Sequence, residues 1–157
     1  MPRDAAVSRL IDSLHETLKY FDQPVATMER SYGPGKWTLR EILVHLSDTE
    51  TVLLDRLRRL AAEEKPLLTA FDENRWASTL FYKQRDLNLA RAQFEAARRG
   101  IIELVRTLPD SFDSKTGMHS EAGPLTFGQM LEKVGSHNVH HLEQIKAIAE
   151  GRTWLKQ

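Results

Sequence analysis

Residues 126–150, TFGQMLEKVGSHNVHHLEQIKAIAE, set the expected fold of this chain. Their apolar side chains recur at intervals of three and four residues, the spacing of one buried face of an α-helix. Thr126 and Gln129 form a capping-box pattern at the start, and Gly151 follows the segment, where helices commonly end. The segment is therefore predicted to be a long amphipathic helix whose apolar face packs against other elements.

Three earlier segments share this helical periodicity, so the four predicted helices span residues 4–21, 38–62, 85–107 and 126–150. The second also begins with a capping box, formed by Thr38 and Glu41. No segment shows the alternation of a half-buried strand, and a short helical turn is expected around residues 72–77. Four helices with wide apolar stripes predict an all-α fold, a four-helix bundle, in a single domain of residues 1–157. The connection between the second and third helices is longer than an antiparallel turn needs, which leaves open whether that pair runs parallel.

The composition excludes several classes of site and partner. The chain has 157 residues and no cysteine, so disulfides, thiolate metal sites and a cysteine nucleophile are excluded. Its 22 basic and 22 acidic residues cancel, which argues against a nucleic-acid partner. No apolar run reaches the roughly 18 residues of a membrane span, and the first residues lack the apolar core of a signal peptide. The expected location is the cytoplasm, with no membrane partner.

Three histidines are candidate metal ligands. His137 and His141 lie four residues apart and therefore project from one face of the fourth predicted helix, whereas His45 flanks the apolar stripe of the second. If the three converge, they form an open site with three nitrogen ligands and one position left for water or substrate. We expect zinc, although nickel and iron also accept three imidazoles.

The histidine pair in the fourth helix has weak specificity when it is considered alone. No acidic residue stands between His137 and His141, so the zinc-protease motif is absent. The alternative is a metal-free core, in which the three histidines form hydrogen bonds with each other or with buried waters.

Two further residues are weak catalytic candidates. Gln144 lies beside His137 on the same strip of the helix, where an amide can hold an imidazole in one tautomer. Asp72, in the long connection, is a candidate base, although a helix N-cap is the preferred interpretation. Among the other candidates, His15 and His140 are expected to face solvent, and Trp37 to pack as a hydrophobic staple beside the cap. His119 is expected in a surface loop, with a position at the rim of the site as the alternative.

Three stretches of the sequence together resemble the DinB/YfiT-like family of bacterial four-helix proteins. They are GKWTLREILVHLSDTE at residues 35–50, FDENRWA at 71–77, and GPLTF at 123–127 followed by HNVHHLEQI at 137–145. The resemblance implies an up-down-down-up bundle and a divalent metal ion held by His45, His137 and His141. It also implies that homodimers are common, and that relatives include thiol S-transferases using a low-molecular-weight thiol, such as bacillithiol, and mycothiol-dependent isomerases.

These observations predict a divalent-metal-dependent enzyme, a thiol S-transferase or a hydrolase. Because the chain has no cysteine, any thiolate must come from a low-molecular-weight thiol cosubstrate. The alternative is a non-catalytic dimeric helical module with a structural or vestigial metal site. A fourth protein ligand such as Asp48 or Asp72 would favour that alternative, since structural zinc sites usually have four protein ligands.

Overall fold

The computed structural model describes residues 3–154 and is a four-helix bundle. The four long helices are α1, α3, α5 and α6, and the two short ones lie in the connections. Their bounds are α1 Arg3–Leu18, α2 Val25–Met28, α3 Leu39–Ala62, α4 Glu73–Thr79, α5 Leu87–Thr107 and α6 Phe127–Ala149. The ends of the predicted domain, residues 1–2 and 155–157, lie outside the described residues.

The ends of the long helices follow from their capping residues. Thr38 precedes α3 and Thr126 precedes α6, and both capping boxes form. The side chain of Asp86 accepts from backbone N–H groups of α5, so that helix begins at Leu87, slightly later than predicted. The first helix ends at Leu18, and a turn of 3₁₀-helix covers the remainder of its predicted length. After α6, Gly151 has a φ of 68° and closes the helix in the left-handed conformation.

Side-chain contacts define the directions of the long helices. From α5, Gln93 donates to the Ser47 carbonyl and Arg98 to Glu50, so α3 and α5 run parallel. Arg98 also donates to the Leu10 carbonyl, and Arg3 to the Val105 carbonyl, so α1 runs antiparallel to α5.

The last helix runs parallel to α1, because Arg3 packs over the Phe127 ring at its start and Asn138 donates to Thr17 further along. The order is therefore up-down-down-up, as the family resemblance implied. The apolar stripes form two clusters along the bundle, one around Leu57 and Phe127 and the other around Leu43 and Phe94.

A small sheet lies against one end of the bundle, and the expectation of no strands was wrong. Strand β1, Leu67–Leu68, pairs in parallel with β2, Thr116–His119, which pairs antiparallel with β3, Gly123–Thr126. A side chain at Gly117 would place its Cβ 2.8 Å from the Pro66 carbonyl oxygen, so this close pairing requires glycine. The strands are too short to show alternation in the sequence, and they form by pairing between distant segments.

One of the two connections has the structure expected from the sequence, and the other does not. The expected turn at residues 72–77 is present as α4, in the long connection that joins the parallel helices α3 and α5. His119, expected in an exposed loop, lies on β2 with only 6% of its surface exposed. Among residues 3–154, no helix combines the length and the hydropathy that crossing a bilayer requires.

Candidate metal centre

The structure brings together three histidines from two antiparallel helices. His45 lies on α3 and is fully buried, whereas His137 and His141 lie one turn apart on α6. The Nε2 atoms of His45 and His137 are 3.1 Å apart, and one nitrogen from each ring lies within 4.8 Å of the others. Ligands at the zinc–nitrogen distance of about 2.0–2.1 Å are separated by roughly 3.4 Å in a tetrahedral site. The cluster therefore has the size that a divalent ion requires.

Burial keeps the three imidazoles neutral. Desolvation is the largest cause in each case, and it lowers the pKa of His45 to about 2, of His137 to about 3 and of His141 to about 4. The neighbouring imidazoles lower these pKa values further, since each disfavours a second positive charge nearby. Neutral imidazoles with free lone pairs are the form that binds metal ions.

Gln144 orients one of the three rings. Its Oε1 atom lies 2.7 Å from Nδ1 of His141 and accepts the ring N–H, which leaves the lone pair on the Nε2 atom of His141. The amide Nε2 atom lies 3.4 Å from Nε2 of His140. His140, expected to face solvent, is half-buried because its ring packs edge-on against Trp154 and His141. Gln144 therefore contacts His141 and His140, rather than His137, which it was expected to adjoin.

The contacts among the three rings favour a metal site over a metal-free hydrogen-bonded core. Between the three rings, the single short nitrogen–nitrogen contact in the described residues joins His45 and His137. The other ring nitrogen of His137, Nδ1, is buried with no hydrogen-bond partner. Such a network leaves polar atoms unsatisfied, which is costly in a buried site. A divalent ion would satisfy three lone pairs at once, so the residues present fit a metal.

Neither of the aspartates considered as a fourth ligand belongs to the histidine cluster. In the described part of the chain, the cluster contains no aspartate or glutamate. Asp48 faces Gln93 and Arg85 on the α5 side. Asp72 is exposed and accepts from the Arg75 N–H as the N-cap of α4, which was its preferred interpretation. A structural centre closed by either residue is therefore absent.

Trp37 forms part of the wall around the cluster. Its ring centroid lies 4.8 Å from that of His45, and it stacks on His141 at 6.4 Å with the planes 19° apart. The sequence indicated only a packing residue next to the helix cap, because nothing local shows which rings it meets. The indole limits water access to the histidines from this side.

A cavity of about 120 Å³ reaches the cluster from the side of the sheet. His137 and Thr49 line its inner part, and the Thr49 hydroxyl lies 3.3 Å from Nδ1 of His45. Five charged or polar residues line the rest, and only His119 among them was considered from the sequence as a residue of the site rim: Arg56, Glu73, His119, Glu121 and Lys133. They come from four separate elements and one loop and share no motif, although Glu73 directly follows the candidate Asp72. Glu73 is an exposed residue at the rim of the cavity, and the partial desolvation of its carboxyl group there is the main cause that raises its pKa.

The comparisons with known proteins agree with this fold and geometry. Residues 6–145 match the sequence profile of the DinB superfamily. The chain belongs to the DinB superfamily.

Among the proteins with similar sequences, an Oceanobacillus iheyensis protein named "putative metal-dependent hydrolase" is 28% identical over 127 residues, 81% of this chain and 73% of that protein. The Bacillus subtilis protein YfiT, named in the same words, is 24% identical over 128 residues, 81% of this chain and 72% of its own.

Solved structures show the same architecture. The structure of YfiT, described as a probable metal-dependent hydrolase with an unusual four-helix bundle topology, matches with a TM-score of 0.88 at 21% identity, over 96% of this chain and 89% of YfiT. A mycothiol-dependent maleylpyruvate isomerase matches with a TM-score of 0.74 at 13% identity, over 92% of this chain and 61% of the isomerase. At these identities the likeness concerns the fold.

Proposed function

We propose that this protein is a divalent-metal-dependent enzyme, with a hydrolase as the leading activity. The observation that carries the proposal is the buried cluster of His45, His137 and His141, which has no carboxylate ligand and borders a cavity. The three neutral imidazoles would hold a divalent ion, which would supply Lewis-acid chemistry and lower the pKa of a bound water or thiol. The relatives named as metal-dependent hydrolases support hydrolysis as the activity.

The protein's own residues would prepare the site in three ways. Gln144 holds the proton on Nδ1 of His141, so Nε2 is available as a ligand. Trp37 covers one side of the rings and limits solvent access. Glu73 lines the cavity together with His137, and its raised pKa suits a group that accepts a proton from the attacking nucleophile and returns it to the leaving group.

Thiol S-transfer is the second candidate activity. The chain has no cysteine, so the thiolate would come from a low-molecular-weight cosubstrate that binds in the cavity. The structural likeness to a mycothiol-dependent isomerase supports this candidate at the level of the fold. Zinc remains our proposed metal, with nickel and iron as alternatives, and a cytoplasmic homodimer remains the proposed state of the protein.

Metal analysis of variants tests the proposed site. We expect about one divalent ion per chain in the purified protein, and loss of that ion in His137→Ala and in His141→Ala, because each removes one of only three ligands. His140→Ala is the matched control, since its ring lies beside the cluster but outside the ligand set. Unchanged metal content in both ligand variants would refute the site.

Activity assays then separate the two reactions from a non-catalytic module. Chromogenic esters and amides report hydrolysis, and a haloarene offered with small thiols reports S-transfer. We expect chelation to abolish the activity and added metal to restore it. Stoichiometric metal without metal-dependent acceleration in either assay would favour the structural or vestigial alternative.

A further inference from the structure

Arg56 is a buried cation on α3. Only 6% of its surface is exposed, and it lies in the wall of the cavity that reaches His137. Its Nη2 atom donates to the Thr69 carbonyl at 2.6 Å, and its guanidinium lies 6.0 Å from the centroid of the Phe71 ring. Its Nε–H is buried and has no acceptor. Within residues 3–154, no carboxylate forms an ion pair with it.

An unpaired buried charge is rare because its desolvation is uncompensated. The other buried arginine near the bundle centre, Arg98, shows the usual arrangement, since Glu50 accepts from two of its nitrogens. Burial lowers the pKa of the Arg56 guanidinium, and the charge of the neighbouring Asp55 opposes only part of this effect. Arg56 therefore has the environment of a group that pairs with a ligand.

Two other groups around the cavity favour a negative ligand. The Nδ1 atom of His119 accepts from the backbone N–H groups of Glu121 and Ala122, at 3.3 and 3.1 Å, so its proton resides on Nε2 as a donor. Lys133, one turn before His137 on α6, lines the same cavity. Glu73 and Glu121 also line it, but both are exposed at the rim and neither pairs with Arg56.

We propose that Arg56, with His119 and Lys133, forms a subsite for an acidic group of the substrate, a carboxylate or a phosphate, next to the histidine cluster. The inference rests on the proposed function, because the reacting atom of the substrate would lie near His137 while the acidic group of the substrate binds Arg56. The cavity volume of about 120 Å³ limits this part of the ligand to a compact oxyanion. The enzyme would accordingly select small organic acids or phosphate esters over neutral compounds.

Thermal unfolding of the metal-free protein tests the subsite independently of the metal. Sodium acetate and sodium phosphate are compared with sodium chloride at equal ionic strength. At about ten times its Kd, the anion that fits is expected to raise the Tm by about 3–6 °C relative to chloride. A higher Tm in acetate would indicate a carboxylate ligand, and a higher Tm in phosphate would indicate a phosphate ligand. An equal Tm in all three salts would overturn the proposal.

Variants assign the effect to Arg56. We expect Arg56→Gln to abolish the anion-dependent shift, because glutamine is polar but carries no charge. Arg58→Gln is the matched control, since Arg58 is an exposed arginine two residues along the same helix. If Arg56→Gln does not fold, Lys133→Gln tests the subsite instead, because Lys133 is at an exposed position. We expect this variant to weaken anion binding about threefold to tenfold. A shift that persists unchanged in the folded Arg56→Gln or in Lys133→Gln would contradict the subsite.

A bifunctional probe tests the position of the subsite relative to the metal. In the cobalt(II)-loaded protein, the thiolate absorption band reports binding of mercaptoacetate and of neutral 2-mercaptoethanol. We expect mercaptoacetate to bind about tenfold more tightly, and the ratio to fall to about one in Arg56→Gln. Equal affinities in the wild type would show that the subsite is not beside the metal, whereas failure to bind cobalt would refute the proposed function and leave the anion result intact.

Discussion

At the residue scale, Gln144 decides which nitrogen of His141 is available to a metal ion. Its Oε1 accepts the Nδ1 proton at 2.7 Å, and its amide group reaches His140 on the other side. Glutamine is suited to this position because it is a neutral acceptor and adds no charge to a buried site. Removal of the acceptor frees the ring to rotate and to change its tautomer.

We therefore expect Gln144→Leu to lower metal affinity by about 10- to 100-fold while the fold is retained. A competitive titration against a chromophoric chelator measures the change. Glu143→Ala, at the exposed neighbouring position, is the control and should bind metal as the wild type does. Equal affinities of Gln144→Leu and Glu143→Ala would show that the hydrogen bond does not orient the ligand.

The three buried histidines also predict the pH dependence of the metal-free protein. Their folded pKa values, about 2, 3 and 4, lie below the ordinary value of 6.5, so the unfolded chain binds more protons at acidic pH. The stabilising contribution is complete above pH 6.5 and is lost as the pH falls from 6.5 towards 4. The expected slope is up to about 1.4 kcal/mol per pH unit for each histidine.

Urea unfolding between pH 5 and 7 measures this slope after metal removal. His137→Ala should flatten it, because one of the three contributing groups is lost. The exposed His15→Ala provides the comparison and should leave the slope unchanged. A free energy of unfolding that does not vary over this range would contradict neutral burial of the cluster.

At the scale of the helices, the cap of α3 positions two parts of the site. The helix begins directly after Thr38, whose N–H donates to Glu41 Oε2 at 2.9 Å. Trp37 precedes the cap and reaches the rings, and His45 lies two turns into the helix. The positions of Trp37 and His45 both depend on where α3 begins. The capping box therefore links a local sequence pattern to the geometry of the site.

We expect Thr38→Ala to lower the free energy of unfolding by about 1 kcal/mol, and the Tm by about 2–4 °C. The cause is the loss of the side-chain acceptor for the Glu41 N–H. Thr107→Ala, at an exposed position where the hydroxyl bonds only within its own helix, should change stability little. The cap has no such role if the two variants prove equally stable.

At the scale of the whole molecule, Arg98 joins three of the four long helices. From α5 it donates to Glu50 on α3, and to the Leu10 carbonyl and the Ser13 hydroxyl on α1. Both Arg98 and Glu50 are almost fully buried. A fully bonded buried pair of this kind specifies the register between helices, because any shift would leave one charge unpaired.

Arg98→Met is accordingly expected to cost about 3–5 kcal/mol, since it leaves the Glu50 carboxylate buried without a partner. Adding Glu50→Met should recover much of the loss. Urea unfolding of the single and double variants measures both effects. If the single variant costs less than about 1 kcal/mol, the pair does not hold the bundle together.

The helices, their caps and the shared face of His137 and His141 could be predicted because they depend on residues within four positions of each other. The parallel arrangement of α3 and α5 came only from a resemblance to a family, since the length of a connection does not fix its path. Strand pairing between Leu67 and Met118 leaves no local pattern. The same holds for the contact of Trp37 with His141 and for the cavity that Arg56 lines with His137, since these residues come from distant segments.

The amino-acid order by itself therefore determined the secondary structure of the bundle and the types of ligand available, because hydrophobic periodicity and capping act within a turn of helix. Tertiary packing decided which charges are buried, which ring nitrogens meet and what lines the cavity. These features depend on desolvation and on contacts between residues far apart in the chain. Folding thus placed a buried arginine in the cavity that reaches His137.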